Sequence, residues 1–425
     1  MANESTSPTP GHPKLRPLDM RWVQDGDARW LMLRDPLGIS QQPLLVPSAA
    51  APLLALCDGA RDLATIRSAA ELRAGLRLTP AQLAEFVSAL DQALLLDNER
   101  FHQARTQALH DYRSAPFRTP ALAGAAYPSD PQQLAQTLTG YGQKLATRQA
   151  SSAEHPDNRR VLGVLSPHID YARGGPVYAA TWAHLQDELQ QTELVVVLGT
   201  DHVGGPGELT LTRKSYATPL GRAPTDTQLV NALTDALGAD AAFASELHHR
   251  NEHSVELATV WLHHLLQGRA VAMLPVLCGS MHHLVRSGAD PGDDQAFTAF
   301  LTLLAETMRQ RRTLIVAAGD LAHVGPVFGD AAPYGKPARD RLASADRESL
   351  AAIGRVDPEG FFSTVRKDRD KRRYCGLTPI YLMLRLLETA GATQGDLIAY
   401  DQCPADDEGG SFVSIAGMVF RGRAT

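Results

Sequence analysis

The chain has 425 residues, well beyond the roughly 100–200 residues of one ordinary domain, so at least two domains are expected. With 44% hydrophobic and 21% charged residues it has the composition of a globular protein with a real core, which excludes a disordered or fibrous chain. Its 41 basic and 47 acidic residues leave a net charge of −6, so no charge excess points to nucleic acid or an anionic membrane.

In chain order, residues 1–17 are polar and proline-rich and read as a disordered tail rather than a secretory signal. Residues 18–101 read as a first module. Arg29–Leu33 and Pro43–Pro47 are strand-like runs around the turn at Pro36-Leu37-Gly38. Helices are expected over Ala49–Leu56, over Leu63–Ala74, and from Thr79-Pro80 to Leu94, where Leu83, Phe86, Val87, Leu90 and Leu94 keep helical spacing. Leu94–Asp97 reads as a closing strand. The layout is that of a small α+β winged-helix module, and the third helix lacks the Lys/Arg cluster that DNA phosphates would need. Residues 102–120 read as a linker, and Gln143–Arg159 as a surface loop in the body that spans 121–425.

Within that body, apolar strand-like runs alternate with helical ones. Strands are expected at Val161–Leu165, Leu194–Leu198, Ala270–Leu277, Thr313–Ala317, Asp396–Tyr400 and Phe412–Phe420. Helices are expected at Val177–Leu189, Thr225–Leu237, Ser254–Leu266, Gln295–Arg309 and Thr378–Ala390. Such alternation predicts an α/β domain with a central mixed sheet flanked by helices. No run reaches the roughly 18 apolar residues that span a bilayer. The four cysteines, Cys57, Cys278, Cys375 and Cys403, are too scattered for a disulfide framework, so a reducing, cytoplasmic setting is expected.

The sequence holds 15 histidines. Three follow apolar strands: His168 in Pro167-His168-Ile169-Asp170, His202 in Gly199-Thr200-Asp201-His202, and His323 in Asp320-Leu321-Ala322-His323. Ligands of open α/β sheets gather beyond the carboxyl ends of strands, so these three are expected to converge. His168 and His202 each have an acid within two positions, and Asp320 is spaced to orient His323 on one face of a turn. In Glu252-His253-Ser254-Val255-Glu256, a site and a plain helix cap are equally consistent with the spacing. Cys375, just before a helix start, is placed where a thiolate is stabilised. The pairs His248-His249, His263-His264 and His282-His283 read as surface or helix positions, because adjacent helical residues do not face one way.

The ordered motifs Ala123-Gly124-Ala125-Ala126-Tyr127-Pro128, Pro167-His168-Ile169-Asp170-Tyr171, Leu198-Gly199-Thr200-Asp201-His202, Thr218-Pro219-Leu220-Gly221, Glu252-His253-Ser254-Val255-Glu256, Leu274-Pro275-Val276, Gly319-Asp320-Leu321-Ala322-His323 and Cys375-Gly376 resemble the MEMO family, whose prokaryotic members are called AmmeMemoRadiSam system protein B. The resemblance spans about residues 120–422. It implies a fold like that of the class III extradiol dioxygenases, with His168, His202 and Cys375 as metal ligands, Asp320 and His323 flanking the metal, and His253 and Glu256 lining the pocket. Many members read His-Ala-Gly-Tyr where this chain has His168-Ile169-Asp170-Tyr171. The dioxygenases use a carboxylate as third ligand; a cysteine there is softer, favouring copper, zinc or thiolate-ligated iron. The first module resembles PqqD-like domains, which bind peptides, often for a radical SAM partner.

Three readings follow. One is an iron- or copper-dependent oxidoreductase acting on an unknown small molecule. Another is a binding module for a peptide or a radical SAM protein. The third is a zinc hydrolase using the same ligands.

Overall fold

The computed structural model describes residues 11–40, 42–149 and 159–422. It divides into two compact units, Met1–Ala115 and Pro116–Thr425. The first carries a three-stranded antiparallel sheet, β1 (Asp19–Asp25), β2 (Ala28–Arg34) and β3 (Leu44–Pro47), with helices α1 (Leu63–Ala74), α2 (Pro80–Gln92) and α3 (Glu99–Ser114). Leu31, Leu33 and Val46 of the sheet pack with Ile66, Val87 and Leu90 of the helices. At the start of α2, Thr79 and Gln82 exchange hydrogen bonds in a reciprocal capping box.

Three expectations differ here. β1 has no sequence signature because almost every residue on it is exposed; it forms by pairing with β2 from Asp19↔Arg34 to Asp25↔Ala28. The described part of the expected tail, residues 11–17, is held in place. The Leu15 N–H donates to Cys57, the Arg16 N–H donates to Leu95, and the buried Arg16 side chain pairs with Asp35 at 2.7 Å. Residues 1–10 lie outside the described residues. Finally, residues 102–114 of the expected linker continue α3, which buries Phe101 and Tyr112.

In the second unit α4 (Pro131–Gln149) precedes β4 (Val161–Ser166), α5 (Tyr171–Trp182), α6 (Gln186–Leu189) and β5 (Leu194–Thr200). The short strands β6 (Leu209–Leu211), β7 (Tyr216–Thr218) and β8 (Gly221–Ala223) follow, then α7 (Thr227–Leu237), α8 (Ala239–Phe243) and α9 (Ser254–Leu266). Next come β9 (Ala272–Cys278), α10 (His282–Ser287), α11 (Gln295–Gln310), β10 (Thr313–Ala318) and β11 (His323–Val324). The unit ends with α12 (Lys336–Gly354), α13 (Pro358–Lys367), α14 (Leu377–Thr389), β12 (Gln394–Pro404) and β13 (Phe412–Arg421). The loop expected at Gln143–Arg159 is helical to Gln149; residues 150–158 lie outside the described residues.

Eight strands form one mixed sheet in the order β11-β13-β4-β10-β5-β9-β6, with β12 added on β13, while β7 and β8 pair by themselves. β4, β10, β5 and β9 run parallel, and β13 and β6 run antiparallel to them. The parallel strands are buried on both faces, which is why they read as unbroken apolar runs. Alternate residues serve two cores. Leu165, Val196, Leu198, Ile315 and Ala317 face one side with α11 and α14, while Val164, Val195, Val197, Leu314 and Val316 face the other with α5 and α9.

This register puts Ala318 level with both Ser166 and Gly199, so the carboxyl ends of β4, β10 and β5 finish at one edge. Two backbone contacts then bring the flanking loops close. A Cβ on Gly199 would lie 2.5 Å from the Ser254 hydroxyl at the start of α9. A Cβ on Gly319 would lie 2.6 Å from the Gly376 Cα, and one on Gly376 would lie 2.6 Å from the Asp320 carbonyl. Only glycines let the segment carrying Cys375 lie against the end of β10. Gly376→Ala is therefore expected to lower stability by about 1–3 kcal/mol in urea unfolding; an unchanged midpoint contradicts this contact.

Candidate metal centre

His168 lies two residues beyond β4, with its Nδ1 3.0 Å from the carbonyl of Ala318 at the end of β10. A carbonyl only accepts, so Nδ1 bears a proton and Nε2 is the nitrogen that faces Cys375. The His168 backbone N–H donates to Asp320 Oδ1 at 2.8 Å. His202 lies two residues beyond β5, and its Nδ1 donates to Glu252 Oε2 at 3.0 Å. The other oxygen of Glu252 accepts from the His253 N–H at 2.7 Å and the Ser254 N–H at 3.0 Å, with His253 Nδ1 at 3.1 Å. The rings of His202 and His253 stack at 4.8 Å and 15°, so a single carboxylate sets the direction of both. Glu252 is buried just before the first turn of α9, where free N–H groups favour a negative charge. Burial pushes its carboxyl up, but the imidazoles of His202 and His253 outweigh burial and hold it well below the ordinary range.

Cys375 approaches from the loop before α14, and its Sγ lies 3.2 Å from His168 Nε2. The donor atoms of His168, His202 and Cys375 all lie within 4.8 Å of one another. Burial disfavours the thiolate, yet His168 and His323 outweigh it and pull the thiol down to about 5. Burial likewise disfavours charge on His168, and Cys375 and Asp320 lift it to about 9. The neighbouring thiol and imidazole therefore each favour the charged form of the other. A thiol sulfur and two imidazole nitrogens are donors that a transition metal takes.

His323 sits on β11, paired with Val413 of β13. Its Nδ1 is buried with no hydrogen-bond partner, while its charge interaction with Cys375 marks it as a neighbour of the thiolate. An orphaned ring nitrogen at the edge of such a trio is available to a bound molecule.

The structure brings His168, His202, Cys375, Asp320, His323 and His253 together, and it corrects two roles. Asp320 does not orient His323. Asp-x-x-His would share a face on a helical turn, but His323 lies on a strand, and Asp320 instead holds the His168 backbone, with Oδ2 3.7 Å from His168 Nε2. Glu256 does not line the pocket. Because α9 begins right after His253, Glu256 falls on its buried face and accepts from Arg118, the Tyr127 hydroxyl and the N–H groups of Ala121 and Leu122.

The acids next to the histidines in sequence also serve other ends. Asp170 caps α5 and binds Arg173, and Asp201 pairs with His248 at 2.8 Å. The carboxylate that orients the histidines is Glu252, which the sequence reading placed in a cluster equally consistent with a site and a helix cap without giving it this role. Two of the paired histidines are buried rather than surface residues. His249 accepts from the Tyr216 hydroxyl at 2.5 Å and donates to the Thr210 carbonyl at 3.0 Å, and His263 Nδ1 lies 2.8 Å from the Thr218 hydroxyl.

A family model described as "Memo-like protein" matches residues 118–419. The chain belongs to this Memo-like family. A MEMO1 family protein of Aquifex aeolicus (strain VF5) is 26% identical over 412 residues, covering 96% of this chain and 99% of that protein, so the likeness includes the first unit. MEMO1 family proteins of Methanopyrus kandleri and Methanosarcina barkeri are 28% identical over 313 residues and 26% over 286 residues. These alignments cover 72% and 67% of this chain, and 99% and 92% of the relatives. A solved structure of an uncharacterized Escherichia coli protein aligns with a TM-score of 0.36 and 16% identity over 61% of this chain and 99% of its own.

Replacing Glu256 by alanine removes the carboxylate that meets the buried Arg118 guanidinium. We expect a loss of about 3–5 kcal/mol in denaturant unfolding. A loss under about 1 kcal/mol, as for an exposed ion pair, contradicts the burial of this pair.

Proposed function

We propose that this Memo-like protein is a metal-dependent redox protein in which His168, His202 and Cys375 hold one iron or copper ion. The observation that carries the reading is the convergence of three donors from three separate loops, with both ring Nδ1 atoms already engaged by fixed acceptors. Oriented ring nitrogens of this kind are the usual outer support of metal-binding histidines. The thiolate makes the set softer than two histidines and a carboxylate, which favours copper or thiolate-ligated iron over the ferrous site of an extradiol dioxygenase. Such an ion, when bound, supplies electron transfer and Lewis acidity.

The chain's own residues then divide the remaining work. Asp320 and Ala318 fix His168, and Glu252 fixes His202 and His253. His323, with its unengaged Nδ1, holds or moves a proton at the rim. His202 and His253 remain open to solvent by 36% and 37% of their side chains, which makes theirs the side from which a small molecule enters. The first unit is assigned to recruiting a peptide or a radical SAM partner. Support comes from its sheet, where Met20, Trp22 and Leu45 are about half exposed (46%, 48% and 50%).

The test is metal analysis of anaerobically purified full-length chain. Wild type is expected to hold one equivalent of iron or copper, and Cys375→Ala to lose it. Glu252→Gln is expected to keep the ligands but weaken binding by about 10–100-fold. Equal metal content in wild type and Cys375→Ala overturns the reading, and a single equivalent of zinc moves it to hydrolysis.

A further inference from the structure

We propose that Arg118 is a positioning residue of this site, acting through the backbone that carries Glu252 and His253. The inference rests on the metal-centre reading above and extends it to a residue outside the cluster. Arg118 falls within the 102–120 stretch whose sequence reads as a linker, yet it is 1% exposed. The Memo-like match begins on it.

A buried guanidinium must use its fork of donors, and here the fork grips one short segment from three directions. Nε donates to the His249 carbonyl at 2.8 Å, Nη2 donates to the Glu252 carbonyl at 2.9 Å, and Nη1 meets the Glu256 carboxylate. Its guanidinium carbon lies 4.9 Å from the centroid of the Tyr216 ring. Its own backbone is fixed as well: its N–H donates to Ser215 at 2.8 Å and its carbonyl accepts from Ala217 at 3.0 Å.

Of the two carbonyls, that of His249 belongs to a short 3-10 turn and that of Glu252 to the gap between this turn and α9. A 3-10 turn ends at Arg250, and α9 starts only at Ser254. Between them lies Glu252, the residue whose carboxylate must reach both His202 and His253. Arg118 binds the main-chain oxygen of Glu252 while its side-chain oxygens bind the two imidazoles. With both ends of Glu252 tied, the direction of the ring nitrogens is set by a residue that touches neither histidine. An apolar side chain of similar size would fill the space and leave both carbonyls unpaired.

The experiment uses the full-length chain and copper(II) as probe. Arg118→Lys keeps the charge opposite Glu256 and removes the fork. It is expected to fold by circular dichroism, to bind copper about tenfold more weakly, and to show altered hyperfine splitting in electron paramagnetic resonance. In a Glu252→Gln background the same change is expected to add nothing, because both act through one carboxylate. Should Arg118→Lys not fold, Arg118→Met with Glu256→Gln leaves no uncompensated charge and is expected to give the same weakened binding and altered spectrum. Wild-type affinity and spectrum in a folded variant overturn the proposal, as do losses that multiply in the double variant. If wild type itself binds no copper, Arg118 is judged without a metal. Nitrogen-edited NMR of the metal-free chain then reads the Nδ1–H protons of His202 and His253. Arg118→Lys is expected to shift both, and unshifted signals overturn the positioning role.

Discussion

Glu252 is the residue on which the site depends. Its one carboxylate takes Nδ1 of two stacked histidines and the first free N–H groups of α9. Such a buried charge would be costly alone; it is tolerated because each lone pair meets a donor and because a helix start favours a negative group. The arrangement couples helix geometry to ligand geometry. Moving the start of α9 by one residue would turn His253 away and leave His202 without its acceptor.

The sheet supplies the second constraint. A set of parallel strands in register ends along one line, and loops from β4 and β5 flank the end of β10. Ala318 on that middle strand contributes nothing but a carbonyl, yet that carbonyl fixes the tautomer of His168. Cys375 comes from a distant part of the chain and reaches the histidines only because Gly319 and Gly376 allow main chain to lie on main chain. Cys375 and His168 each favour the charged form of the other against the cost of burial.

Much of this was legible in the sequence, for identifiable reasons. Parallel strands buried on both faces must be apolar throughout, so β4, β5 and β10 announce themselves, and α9 is bounded as its spacing predicts. Histidines placed after those strands could be grouped from topology alone. Side-chain direction could not. Asp170 and Asp201 lie beside the histidines in sequence and turn elsewhere, while Glu252 lies fifty positions from His202 and orients it. Glu256 and Arg118 looked like a pocket residue and a linker residue because burial of an ion pair leaves no periodic trace. β1 escaped for the opposite reason: a strand exposed on both faces has no alternation to read.

The proposed function rests on one claim, that a sulfur and two imidazole nitrogens share one metal ion. X-ray absorption at the metal edge of the iron- or copper-loaded chain tests it most directly. The account predicts one sulfur neighbour at about 2.3 Å and two imidazole nitrogens at about 2.0–2.1 Å, with the sulfur shell absent in Cys375→Ala. A first shell of nitrogen and oxygen alone in the wild type would contradict it.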